Sequence, residues 1–151
     1  MEKNSMETGT ACTEAEKWEF SMNSENNRLS TFKDWPFDDD CLCVPSKMAA
    51  AGFYHIPTDQ QPDLVRCFVC YKELEGWEPD DDPWAEHKRH QPNCDLLKIL
   101  KNHKSLDEIT VKEFLDLECK RQQNRIKAQI EERVKEFRQQ AARVRAQMEL
   151  L

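Results

Sequence analysis

Neither proline nor glycine occurs after residue 92, so nothing in the backbone chemistry of residues 93–151 interrupts a helix. No run of eighteen apolar residues occurs, so no segment reads as a membrane-spanning helix. No apolar stretch near the N-terminus resembles a signal peptide. Seven cysteines is an odd number. A disulfide framework is therefore not expected, and a reducing cytosolic or nuclear compartment is. No nucleophile–base pair or phosphate-binding loop is visible, and no enzymatic activity is expected. Ser-Pro and Thr-Pro are absent as well, which leaves proline-directed kinases without a site.

Charge is present but unevenly distributed. The formal net charge is -7. Residues 1–109 hold 12 basic and 22 acidic side chains, whereas residues 110–151 hold 10 and 7. The acidic part argues against binding to a DNA backbone and favours a basic partner. The mildly basic C-terminal part suits nucleic acid or an acidic surface, microtubules among them.

The densest chemical signal is Cys67-x2-Cys70-x16-His87-x6-Cys94. Three thiolates and one imidazole form a tetrahedral zinc set, and four protein ligands leave no position for water or substrate. One structural zinc ion is expected, contributing directly to folding. His90, at H-x3-C from Cys94, competes with His87 on spacing alone. Cys12, Cys41, Cys43 and Cys119 remain outside the set, and Cys41 and Cys43 read as small core thiols.

Residues 1–27 read as a mostly flexible segment, apart from Trp18, Phe20 and Met22. Residues 28–95 read as a small zinc-stapled α+β domain, a three-stranded sheet with short helices. Ser30-Thr31-Phe32 suggests a helix start and Trp35-Pro36 its end. Pro45–Ala51 reads as a second helix, stopped at Gly52. Phe53–Ile56, Val65–Cys70 and Leu74–Trp77 carry strand-forming residues. Asp82 caps a further helix with Pro83 in its first turn. Phe32, Trp35, Phe37, Phe53, Phe68, Trp77 and Trp84 are expected mostly in the core.

Residues 96–109 form a connector rich in Leu and Ile, expected to pack on something. Thr110-x-x-Glu113 is a capping box that opens a long helix over 110–151, up to about 60 Å at 1.5 Å per residue. Ile130, Val134, Phe137, Ala141, Val144, Met148 and Leu151 recur at alternating spacings of four and three. That heptad seam calls for partner helices, since a lone helix cannot bury it.

Arg28-Leu-Ser-Thr-Phe32, Gly52-Phe53-Tyr-His55, Cys67-Phe-Val-Cys70, Leu74-Glu-Gly76-Trp77, Asp81-Asp-Pro83-Trp84, His87 and Cys94 together resemble the baculoviral inhibitor-of-apoptosis repeat. A single repeat followed by a long helix is similar to the single-repeat branch of that family. The resemblance implies Cys67, Cys70, His87 and Cys94 as the zinc ligands and frees His90. Arg66, Lys72 or Lys88 are expected to compensate the net negative charge of such a site.

The resemblance further implies capture of a peptide N-terminus. Glu75 and Asp81 would hold the ammonium, and Trp77 with Leu74 would enclose the first side chain. Lys72 and His90 would bind a phosphate, so the implied ligand is the histone H-three tail phosphorylated at its third residue. Gln61 stands where relatives carry an acid. The helix would assemble with borealin and inner centromere protein and so bring Aurora B kinase, indirectly, to its place. The implied role is that of chromosomal passenger complex targeting subunit in mitosis and cytokinesis. The implied locations are nucleus, chromosome and centromere, spindle midzone and cytoplasm. A homodimer is implied when the chain is free, with Trp18, Phe20, Leu106, Val111 and Phe114 as contacts. Val44 replaces a phosphorylatable Thr before Pro45. The alternative is an anti-apoptotic protein that inhibits caspases directly or binds N-terminal Ala peptides of apoptosis regulators.

Overall fold

The computed structural model describes residues 11–150. Its elements run α1 (Glu14–Ser21), α2 (Glu25–Leu29), α3 (Pro45–Ala50), β1 (Phe53–His55), β2 (Val65–Cys67), β3 (Glu73–Leu74), α4 (Pro83–His90), α5 (Asp95–Ile99) and α6 (Val111–Glu149). A single 3-10 turn at Leu106–Glu108 precedes α6. The strands form one antiparallel sheet in the order β1-β2-β3, with Phe53 opposite Cys67 and Val65 opposite Leu74. A three-stranded sheet with short helices and one long C-terminal helix is the expected fold class.

The described part of the N-terminal segment carries regular structure. From residue 11 on, α1 and the start of α2 fall in this segment. Thr13 and Glu16 close a reciprocal capping box on α1, and the Ser24 side chain caps α2. Ser30 ends α2 and does not start a helix. Thr31 serves the sheet instead, its hydroxyl accepting from the His55 N–H at 2.8 Å. Trp18 packs edge-on against Tyr54, which gives the segment a docking point on the repeat.

α3 takes Pro45 at its first turn and is capped by Ala51. Gly52, at φ +93°, turns the chain into β1. The strands are shorter than expected. β2 ends at Cys67, where the Cys67–Cys70 turn begins, and β3 ends at Leu74, two residues before Gly76 swings to φ +73°. Met48, Phe53, Tyr54, Phe68, Val69 and Leu96 fill the core. Leu96 belongs to α5, so the core extends past residue 95 into the connector. Trp84 is not a core residue. It is 36% exposed, because α4 turns His87 and Pro83 inward instead.

The base of α6 is bound to the repeat. Leu117 and Arg121 are buried, and Asn124 donates from Nδ2 to the Val69 carbonyl at 2.9 Å. Arg125 pairs with Glu16 of α1 at 3.0 Å. Beyond Ile126 the helix is exposed almost throughout.

Candidate metal centre and adjoining cleft

Cys67, Cys70, His87 and Cys94 converge, with their ligand atoms all within 4.8 Å of one another. The fold supplies each from a different place. Cys67 ends β2, Cys70 follows one tight turn later, His87 faces inward from α4, and Cys94 is the residue before α5. Cys67 Sγ lies 4.0 Å from Cys94 Sγ, and Cys70 Sγ lies 3.5 Å from His87 Nε2. Tetrahedral bonds of about 2.0–2.3 Å generate edges of roughly 3.5–3.8 Å, so these residues fit one ion.

Tautomer and orientation of His87 are fixed by a single contact. Its Nδ1 lies 2.9 Å from the Ala51 carbonyl, which can only accept. Nδ1 therefore carries the proton, and the Nε2 lone pair points at the sulfurs. The competing residue, His90, lies on an exposed face of α4 with its Nε2 3.4 Å from Glu86. The ambiguity between the two histidines ends in favour of His87 in the cluster.

The sulfurs also need a cation. Burial pushes the Cys67 thiol well up, while Cys94 is lowered by hydrogen bonds from Cys67 and Cys70. Three thiolates crowded in a buried site cannot all ionise unaided, and a dication at their centre removes that obstacle. The Val69 N–H donates to Cys67 Sγ at 3.4 Å, and the Lys72 N–H turns toward Cys70.

Arg66, Lys72 and Lys88 were the cations expected to compensate the site. Arg66 is committed to Glu73 through an ion pair, and Lys88 lines a separate cleft on another face of α4. Of the two buried arginines among the described residues, Arg28, 2% exposed, is the one whose charge interacts with Cys67. Its guanidinium lies 4.4 Å over the Phe68 ring and donates to the carbonyls of Ala49, Met22 and Asn23 at 2.9, 2.8 and 3.1 Å. Burial lowers it to about 10, which still leaves it charged at neutral pH. No sequence signal marked this role, since a lone buried arginine has no periodicity.

Tyr71 was also missed. It follows Cys70 at φ +62°, an uncommon conformation for a bulky residue. Its hydroxyl donates to Glu19 Oε2 at 2.7 Å and accepts from Arg121 Nη1 at 3.3 Å. Burial and Glu19 push the phenol up, so it remains a donor. Together with Asn124 on Val69, this joins the cysteine turn to both α1 and α6.

A cleft of about 260 Å³ lies beside β3. Lys72, Leu74, Glu75, Trp77, Asp81 and His90 all line it, so every residue expected to hold a peptide terminus or a phosphate is brought to one place. The Trp77 indole N–H is buried and has no hydrogen-bond partner among the described residues. Such a donor costs free energy unless a ligand accepts from it. Asp81 already accepts from the Glu78 N–H at 2.8 Å, leaving Glu75 as the freer carboxylate. Glu86 and Arg89 also line the cleft, and sequence reasoning overlooked them. Glu86 stands three residues before Arg89 and four before His90 on α4, and that spacing was the available signal.

The remaining candidate residues are spread out. Val111 is 77% exposed and Phe20 49%, whereas Leu106 and Phe114 are half-buried, Leu106 against the core of its own chain. Along α6, Ile130, Val134, Phe137, Val144 and Met148 are exposed and Ala141 half-buried. Leu151 lies outside the described residues.

The family described as Inhibitor of Apoptosis domain matches residues 28–98. Baculoviral IAP repeat-containing protein 5 of Mus musculus is 48% identical over 84% of this chain and 89% of its own length. The protein of the same description from Cavia porcellus is 49% identical over 84% and 87%. A crystal structure of the first repeat of DIAP1 bound to a Grim peptide is 41% identical, covering 50% of this chain and 72% of its own at a TM-score of 0.42. With a matching repeat and relatives that align along most of both chains, this protein belongs to the baculoviral inhibitor-of-apoptosis repeat family, in its survivin branch.

Proposed function

We propose that this chain is a non-catalytic targeting subunit of a chromosomal passenger complex. Its repeat, held by one structural zinc ion on Cys67, Cys70, His87 and Cys94, reads the N-terminus of the histone H-three tail when the third residue is phosphorylated. Zinc supplies no chemistry beyond cross-linking in a closed four-ligand site. The observation that carries the reading is the single cleft that gathers Glu75, Asp81, Trp77, Leu74, Lys72 and His90.

Glu75 and Asp81 attract the tail's ammonium, and the orphan Trp77 N–H offers a donor to the first peptide carbonyl. The edge of β3 accepts the extended backbone by strand addition. Lys72, His90 and Arg89 face the phosphate. The exposed seam of α6 assembles with borealin and inner centromere protein, which delivers Aurora B kinase to the centromere and later the spindle midzone. Binding of the phosphorylated tail places the protein on chromosomes in the nucleus.

Calorimetric titration with a tail peptide tests the cleft. Acetylating the peptide N-terminus is expected to abolish binding, and phosphate to strengthen it. Lys72→Ala and His90→Ala should lose mainly the phosphate increment, and Glu75→Ala most of the affinity. Equal affinity for free, acetylated and phosphorylated peptides defeats the reading. For the helix, Phe137→Glu should end partner capture in a co-purification assay while metal content stays the same.

A further inference from the structure

A second cleft of about 370 Å³ lies where α4, α5 and the connector meet, and it shares no lining residue with the first. Trp84, Leu97 and Leu100 give it an apolar wall, and Lys88, Lys101 and Lys104 stand around it. Trp84 is 36% exposed on a helix whose neighbouring residues Pro83 and His87 are buried. A large indole left in solvent beside two leucines marks a surface that excludes water only when something covers it.

Three of the five basic side chains lining this cleft are uncommitted. Lys98 leans on Asp95 at 3.4 Å and His103 on Glu113 at 3.1 Å. Among the described residues, Lys88, Lys101 and Lys104 have no carboxylate within ion-pair distance. The chain as a whole carries a net -7, so a local positive cluster around an apolar wall is a specific inversion of its field. Lysine stems extend such a wall while the ammoniums remain at its edge.

We propose that this cleft docks an acidic peptide segment of a partner, with one bulky apolar side chain against Trp84, Leu97 and Leu100 and flanking carboxylates on Lys88, Lys101 and Lys104. The volume suits one large side chain and its adjoining backbone, being at the small end for ligand clefts. A long polyanion fits less well. No arginine lines the cleft, and Asp95, Asp107 and Glu108 interrupt the basic run in the sequence, so a phosphate backbone would find no continuous track. The proposal is independent of the histone reading, because the ligand needs no free N-terminus.

The test is an NMR titration of the full zinc-loaded chain with the acetylated, amidated peptide Asp-Glu-Phe-Asp-Glu. Acetylation keeps the probe out of the first cleft. The expected result is saturable shifts at the Trp84 indole and the Leu97 and Leu100 methyls. Affinity should fall about tenfold or more when Phe is replaced by Ser in the peptide, or in the Lys101→Glu/Lys104→Glu protein. Both lysines are exposed, and metal content with thermal midpoint verifies that the variant is folded. Shifts confined to the first cleft, an unchanged affinity for the Ser peptide, or an unaffected variant would overturn the proposal. So would tighter binding of a thymidine oligonucleotide or of phosphatidylserine vesicles at the same residues, since those outcomes assign the surface to another class of ligand.

Discussion

Replacing Gly52 by alanine should perturb the Cys67, Cys70, His87 and Cys94 cluster without touching any of its four residues. Gly52 lies between Ala51, whose carbonyl orients His87, and Phe53 of β1, and its own carbonyl accepts from the Phe68 N–H at 3.0 Å. Its φ of +93° costs a non-glycine residue about 1–2 kcal/mol. An added Cβ would also stand 2.3 Å from Leu96 Cδ2 and 3.7 Å from Cys67 Sγ. Overpacking of that kind adds about 1–3 kcal/mol, because Leu96 is buried and has little room to retreat. The sum is about 2–5 kcal/mol. Gly76 provides the control. It shares the left-handed backbone at φ +73°, yet a Cβ there meets nothing within 4 Å, so Gly76→Ala should cost only about 1–2 kcal/mol. Urea unfolding of both variants at a fixed free zinc concentration, followed by tryptophan fluorescence, separates the two contributions. In the Gly52→Ala/Leu96→Ala protein the combined cost should be less than the sum of the single costs, since the smaller side chain vacates the clash. Equal losses at Gly52 and Gly76, or strict additivity with Leu96, would refute the packing argument.

Arg28→Met keeps much of the volume but strands three carbonyl acceptors beside the cysteine turn. Stability in the same urea assay should fall by about 3 kcal/mol or more, and an unchanged midpoint would deny the arginine a structural role. Glu113 is held down to about 2, chiefly by the Thr110 N–H that it caps, with His103 assisting. Its folded value is below its ordinary 4.5, so the cap's contribution is complete above that value and is lost as pH falls toward about 2. Hydrogen exchange at the first amides of α6 should accelerate across this acid window in the native chain, and Glu113→Gln should flatten that pH dependence. A pH profile identical in both proteins would contradict the assignment.

Much of the site was legible because metal ligation leaves a spacing signature. Cys67, Cys70 and Cys94 need only pattern, whereas the choice between His87 and His90 requires knowing which face of α4 turns inward. The capping box at Thr110 and Glu113 likewise reads directly from sequence and opens α6 where expected. The N-terminal helix went unread although Thr13 and Glu16 carry the same capping-box signal, and the rest of what secures it is tertiary. α1 is short and has no buried residue, and it is secured by Tyr71 on Glu19 and Arg125 on Glu16, contacts separated by many tens of residues. Trp84 misled for a related reason, since hydrophobicity alone does not say which side of a short helix faces the core. Arg28 and Asn124 were opaque because buried polar contacts to backbone carbonyls follow no period.

The claim on which all else depends is that one ion on Cys67, Cys70, His87 and Cys94 holds the repeat together. Stripping the purified chain with a chelator, with zinc counted by elemental analysis and folding followed by near-ultraviolet circular dichroism, tests it most directly. The expected result is one zinc per chain before treatment, and loss of the tryptophan signal together with the ion, both restored by added zinc. A metal-free chain that retained its tertiary signal would contradict it.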